Sequence, residues 1–99
     1  MSKFHDEEIT GVSFDKDSCI LTLWLDRSGT ISVENVEYFD FSSFDIQNVI
    51  FEINEYSGRD LPRMIIDDYP WVEAYLKDED FKYIVIIPSV GLGGIIVYQ

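Results

Sequence analysis

Apolar residues recur at every second position in short runs along most of this chain, and turn formers close each run. The clearest run covers residues 19–26, where Cys19, Leu21, Leu23 and Leu25 alternate with Ile20, Thr22, Trp24 and Asp26. A period of two puts alternate side chains on opposite faces of a strand, so one face is apolar and the other carries Trp24. A strand over residues 9–14 precedes it, joined through Asp15-Lys16-Asp17-Ser18, a string of turn formers. After the turn Arg27-Ser28-Gly29, residues 30–41 continue the meander with Ile31 and Val33 on one face. The phase slips near Asn35, leaving Val36 and Phe39 inward, as a bulge would produce. Residues 42–48 form a polar connection around Phe44 and Ile46. Residues 49–55 form another strand, with Val49, Phe51 and Ile53 opposite Ile50, Glu52 and Asn54.

The spacing turns helical over residues 60–80. Pro62 suits the first turn of a short helix, and Pro70 restarts it because a proline disfavours helix at the residue before it. Asp67 or Asp68 then caps the second piece, which carries Trp71, Val72, Tyr75 and Leu76 as an apolar stripe. The acids Asp78-Glu79-Asp80 oppose a helix C-terminus and stop it near Lys77. Residues 81–87 read as a central strand, apolar on both faces, with Tyr83, Val85 and Ile87 facing one way and Ile84 and Ile86 the other. Pro88 ends it, residues 90–94 make a glycine-containing turn, and residues 95–98 return as the last strand. The expected fold class is α+β, mostly β: an antiparallel sheet or half-open barrel of about six strands with one helical segment at about residues 60–78. No linker divides the chain, so residues 1–99 read as a single acidic β-rich domain.

Charge narrows the function. Nineteen Asp and Glu face seven Lys and Arg, a formal net charge of -12. Fifteen per cent aromatic residues distinguish the chain from a disordered acidic tail. Such a surface disfavours a phosphate backbone, which is bound by Lys and Arg that release its counterions. It favours a basic partner, whose encounter it would steer. The single cysteine, Cys19, allows no intrachain disulfide. An acidic start over residues 1–8 lacks the apolar stretch of a signal peptide, and no apolar run reaches membrane-spanning length. Together these lead to an expectation of a cytoplasmic protein with no membrane association.

Catalytic and metal-binding patterns are weak. Asp15-Lys16-Asp17 opens like a calcium loop, but Cys19 and Ile20 stand where an acid and a glycine are needed. His5, Asp6, Glu7 and Glu8 lack a second His and a nearby Cys to complete a zinc site. The strand pattern buries Cys19 among leucines, where a thiol is inert, which argues against a Cys19–His5 nucleophile pair. Gly91, Gly93 and Gly94 lead into a strand and not into the helix a phosphate loop requires. No enzyme, cofactor or metal is expected. Trp24 is either an exposed interface anchor or covered by the helical segment packing on the sheet.

Three segments carry a family resemblance. Phe4-His5-Asp6 with Glu7-Glu8-Ile9, the stretch Val36, Phe39, Phe44 and Gln47-Asn48-Val49-Ile50, and Pro88-Ser89-Val90-Gly91-Leu92-Gly93-Gly94 together resemble the immunity protein 50 group of bacterial polymorphic-toxin systems. Glu7 departs from the pattern, which favours a small residue there. The resemblance implies a protein that binds and neutralises a cognate toxin, without catalysis or cofactor.

The leading expectation is therefore an immunity protein that occludes the active or substrate-binding site of a toxin with a basic surface. Asp40, Asp45, Glu52, Glu55, Asp67 and Asp68 would steer the encounter, and Trp24, Tyr56 and Tyr69 would anchor it. The alternative is an acidic, nucleic-acid-mimicking inhibitor or accessory protein-binding module, which needs acids spaced like phosphates along one surface. A small enzyme or ligand-binding barrel needs a deep pocket. The chain is expected as a monomer, or as a homodimer built by sheet extension at an open edge.

Overall fold

The alternating leucines lie where period two puts them. The structure is a computed structural model that describes residues 4–99; Met1 to Lys3, where the signal-peptide reading begins, lie outside the described residues. The strands are β1 (Ile9–Asp15), β2 (Ile20–Leu25), β3 (Thr30–Val33), β4 (Val36–Ser42) and β5 (Val49–Ser57). The helix α1 (Arg63–Asp68) and a 3-10 turn (Pro70–Ala74) follow, then β6 (Lys82–Val90) and β7 (Gly93–Tyr98). All pairing is antiparallel, in one sheet ordered β1-β2-β3 and a second ordered β4-β7-β6-β5. The α+β, mostly β class holds. The strands divide between two sheets that do not close into a barrel.

Leu21, Leu23 and Leu25 of β2 are buried against Ile50 and Ile53 of β5, Ile84 and Ile86 of β6 and Ile96 of β7. The other face of the four-stranded sheet presents Tyr83, Val85, Ile95 and Val97, which pack under Leu61, Ile65 and Val72 of the helical segment. The central strand β6 therefore serves two cores, as its two apolar faces predict.

The chain passes from β3 to β4 at Asn35, which has φ +56°. Asparagine tolerates this left-handed conformation better than most residues. Its carbonyl accepts from Gln99 N–H at 3.1 Å. The chain crosses from one sheet to the other at this corner, and the expected bulge follows directly after it, where the register of β4 against β7 shifts between Val36 and Tyr38.

On the opposite flank the two sheets are joined through main chain. Ile50 N–H donates to Glu7 O at 2.8 Å, Ile9 N–H to Asn48 O at 2.8 Å and Asp6 N–H to Ile50 O at 2.8 Å.

Four local expectations are corrected. Cys19 is exposed: the last β1–β2 pair is Asp15 with Ile20, so Cys19 closes the turn at φ +56° and leaves the leucine face. In β5 the register shifts between Ile50 and Glu52, turning Phe51 outward and Ile50 inward beside Ile53. No acid side chain caps the second helical piece. Tyr69 occupies that position, and Asp67 and Asp68 end α1, because Pro62 and Pro70 leave room for little more than one turn. Pro88 does not end β6, which runs on to Val90. The β6–β7 ladder stops at Ile86–Gly94, and on the other side Pro88 faces Ile50 where the β5 register is irregular, so the proline falls outside the regular ladders. Gly93 makes the space, since a Cβ there would lie 2.9 Å from Pro88 Cδ.

Candidate protein-binding face

In β4, Phe39 and Phe41 turn toward the core between the sheets, so Tyr38 and Asp40 project on the outer face. The 3-10 turn lays Trp71 onto that pair. Trp71 Nε1–H donates to Asp40 Oδ2 at 3.0 Å, and the Trp71 and Tyr38 rings meet edge to face with centroids 4.7 Å apart. Tyr69 and Tyr75 flank the indole at 6.2 and 6.0 Å, and Tyr75 reaches Phe81 at 5.1 Å. Tyr38 remains 48% exposed. Burial raises the Tyr69 phenol above its usual range, and the carboxylates Asp40 and Asp68 raise it further. The ring therefore stays neutral between two acids. Beside it a cleft of about 260 Å³ opens, with Ser42, Ser43, Asp68, Tyr69, Pro88 and Gly93 in its walls.

Of the residues singled out from sequence, Asp40, Asp68 and Tyr69 come together here. Asp67 is next to them but is paired with Arg63 at 3.2 Å, an exposed bridge of small energetic weight. Glu52 and Tyr56 lie on β5, at the far edge of the same sheet from β4. Glu55 borders a different groove, of about 400 Å³, with Glu34, Ile84 and Tyr98. Burial and then Glu55 raise the Tyr98 phenol. Asp45 serves its own loop: its carboxylate accepts from Ile46 N–H at 2.7 Å and its N–H donates to Asn48 Oδ1 at 2.9 Å.

Trp24 is 48% exposed on the outward face of the three-stranded sheet, resting over Gly11. The helical segment covers the other sheet, so it does not bury Trp24. The nine residues thus fall on several surfaces.

Sequence reasoning missed Tyr38 and Trp71. The pair Tyr38 and Asp40, alternating with Phe39 and Phe41, was a legible signal. Trp71 read as part of the apolar stripe with Val72, Tyr75 and Leu76.

Among the described residues no group of three or more His, Cys, Asp or Glu is placed to hold a metal ion, and no helix is long and apolar enough to cross a membrane. No family model matches the chain, and no curated protein or solved structure matches it either.

Proposed function

We propose that this protein is a binding inhibitor of the immunity type, which neutralises a toxin domain with a basic surface by covering its active or substrate-binding site. One observation carries the reading: Tyr38, Tyr69 and Trp71 form an aromatic patch around Asp40 and beside Asp68, on the outer face of an edge strand. Aromatic anchors surrounded by charge are the recurrent core of tight protein interfaces. A net charge of -12 would speed encounter with a positive partner and suppress acidic competitors. The resemblance of the 4–9, 36–50 and 88–94 segments to the immunity protein 50 group supports the same function.

Nucleic-acid mimicry draws less support. Acids occur on turns of the three-stranded sheet (Asp15, Asp17, Asp26, Glu34) and also around the helical segment (Asp67, Asp68, Glu73, Asp78). They are spread over the three-stranded sheet and the helical segment and are not confined to one element.

The test is co-expression with the toxin domain encoded beside this gene, scored for growth rescue and for a co-purifying complex. Rescue with a salt-sensitive complex is expected. A toxic neighbour that this protein neither rescues nor binds at low ionic strength refutes the reading.

A further inference from the structure

We infer that the Tyr38–Asp40–Trp71 cluster is a receptor for one arginine side chain of the partner. The inference rests on the proposed binding role and specifies the chemistry at its centre.

Asp40 is half-buried in β4 and gives one carboxylate oxygen, Oδ2, to the Trp71 indole at 3.0 Å. No hydrogen bond to Oδ1 is formed among the described residues. That oxygen is the acceptor a cation would meet. Tyr38, two residues earlier on the same face, holds its ring edge to face with Trp71 and leaves about half its surface to solvent. A cation over an aromatic face within about 6 Å of the centroid is attracted by the ring quadrupole. The site therefore offers a negative oxygen and an aromatic surface side by side.

Geometry selects arginine over lysine. A guanidinium is planar: it can stack on a ring while its edge donates to a carboxylate, and it loses less hydration than an ammonium. The indole bond orients Asp40 before any partner arrives, so little side-chain order remains to be lost on binding. Among the described residues no Lys or Arg is paired with Asp40, and Arg63 on α1 is occupied with Asp67 at 3.2 Å.

The test uses the whole protein and small probes, so it does not need the toxin. Trp24 and Trp71 are the only indoles and lie on opposite outer faces, which makes Trp24 an internal control. The two indole N–H resonances are followed by NMR during titration with N-acetyl-arginine amide, N-acetyl-lysine amide and N-acetyl-citrulline amide. Citrulline keeps the shape of arginine without its charge. The expected result is a saturable shift of the Trp71 resonance with arginine, weaker by several-fold with lysine and absent with citrulline, while Trp24 stays still. Asp40→Asn, which keeps an oxygen for the indole, should abolish the arginine shift with the spectrum otherwise folded. Tyr38→Leu should weaken it. A Trp71 resonance that ignores arginine, or that moves equally with all three probes or in Asp40→Asn, overturns the inference. Growth rescue by the wild type and equally by Asp40→Asn would also overturn it while leaving the immunity role intact. A specific arginine shift without any toxin complex would do the reverse.

Discussion

Asn48 is the side chain whose loss should cost this fold most for its size. It is 2% exposed and makes four hydrogen bonds. Oδ1 accepts from Asp45 N–H at 2.9 Å and from Leu92 N–H at 3.0 Å. Nδ2 donates to Ile9 O at 3.3 Å and to Asp45 O at 2.8 Å. One amide thus ties β1, the loop before β5 and the β6–β7 turn together. In Asn48→Ala the two Asp45 groups lie in an exposed loop and regain water. Leu92 N–H and Ile9 O belong to buried residues and are left stranded. Each stranded buried group costs about 1–3 kcal/mol, so the variant should lose about 2–6 kcal/mol, centred near 4. For a domain of this size each kcal/mol corresponds to about 4–8 °C, so the central value puts the melting temperature about 16–32 °C lower. Urea unfolding followed by tryptophan fluorescence, read as a midpoint at constant slope, gives the number directly. Gln47→Ala, at the exposed neighbour, is the control and should stay within about 0.5 kcal/mol. A loss below about 1 kcal/mol for Asn48→Ala would refute the reasoning, because the stranded groups would then have found partners or water.

Three further outcomes follow from the same geometry. Glu7 is buried and its carboxylate accepts from Ser28 O–H and Ser28 N–H, which lower its pKa against the opposing effect of burial. A lowered folded-state pKa means that the stabilisation is complete above the ordinary value of 4.5 and is lost as pH falls through the folded-state value. Glu7→Gln should therefore be less stable at pH 7 and show a flatter stability profile below about pH 5; matching wild-type and variant profiles in acid urea titrations would contradict this. Gly91 has φ +80°, and a Cβ there would meet Asn48 Oδ1 and the Gln47 carbonyl. Gly91→Ala should lose at least about 1–3 kcal/mol in the same urea assay, and a neutral effect would show that the turn can rearrange. Cys19 is exposed in its turn, so one thiol per chain should react with a chromogenic disulfide in native buffer at the rate seen in urea; a thiol protected until unfolding would return Cys19 to the core.

What was legible in the sequence was the part governed by local period. Leu21, Leu23 and Leu25 point inward, Trp24 points out, and β6 is apolar on both faces because it separates two cores. What was not legible depends on single-residue irregularities. The shift between Ile50 and Glu52 moves Phe51 from the core to the surface, yet it leaves no compositional mark in a run where every candidate is apolar or β-prone. The corner at Asn35 and the bulge expected there disturb the phase alike, so one sheet and two sheets were indistinguishable. Pro88 was read as a stop because the consequence of a missing N–H depends on whether a neighbour strand needs it. Within Asp6-Glu7-Glu8 nothing marks the middle acid as the buried one. Its partner, Ser28, is 21 residues away.

The same contrast explains why the binding face was only half visible. Asp40, Asp68 and Tyr69 were chosen as polar or loop-proximal residues and converge, whereas Trp71 read as part of an apolar stripe. Its ring does pack on the sheet, but its N–H is spent on Asp40, so it belongs to both environments. The joins that hold the sheets together, Asn48 and the Glu7–Ser28 pair, are built around the start of β5 and the N-terminal flank of β1. The Tyr38–Asp40–Trp71 cluster sits instead on β4 and the 3-10 turn, on the side of the four-stranded sheet that packs its own core with the helical segment. Variants at the joins should therefore lower stability without altering probe recognition at Trp71, and Asp40→Asn should alter recognition with little change in stability. Among the described residues Asp40 and the joins share no hydrogen-bond partner, so their effects are expected to add. A double variant, Gly91→Ala with Asp40→Asn, that lost much more stability than the sum of its single effects would show the two regions to be one coupled unit.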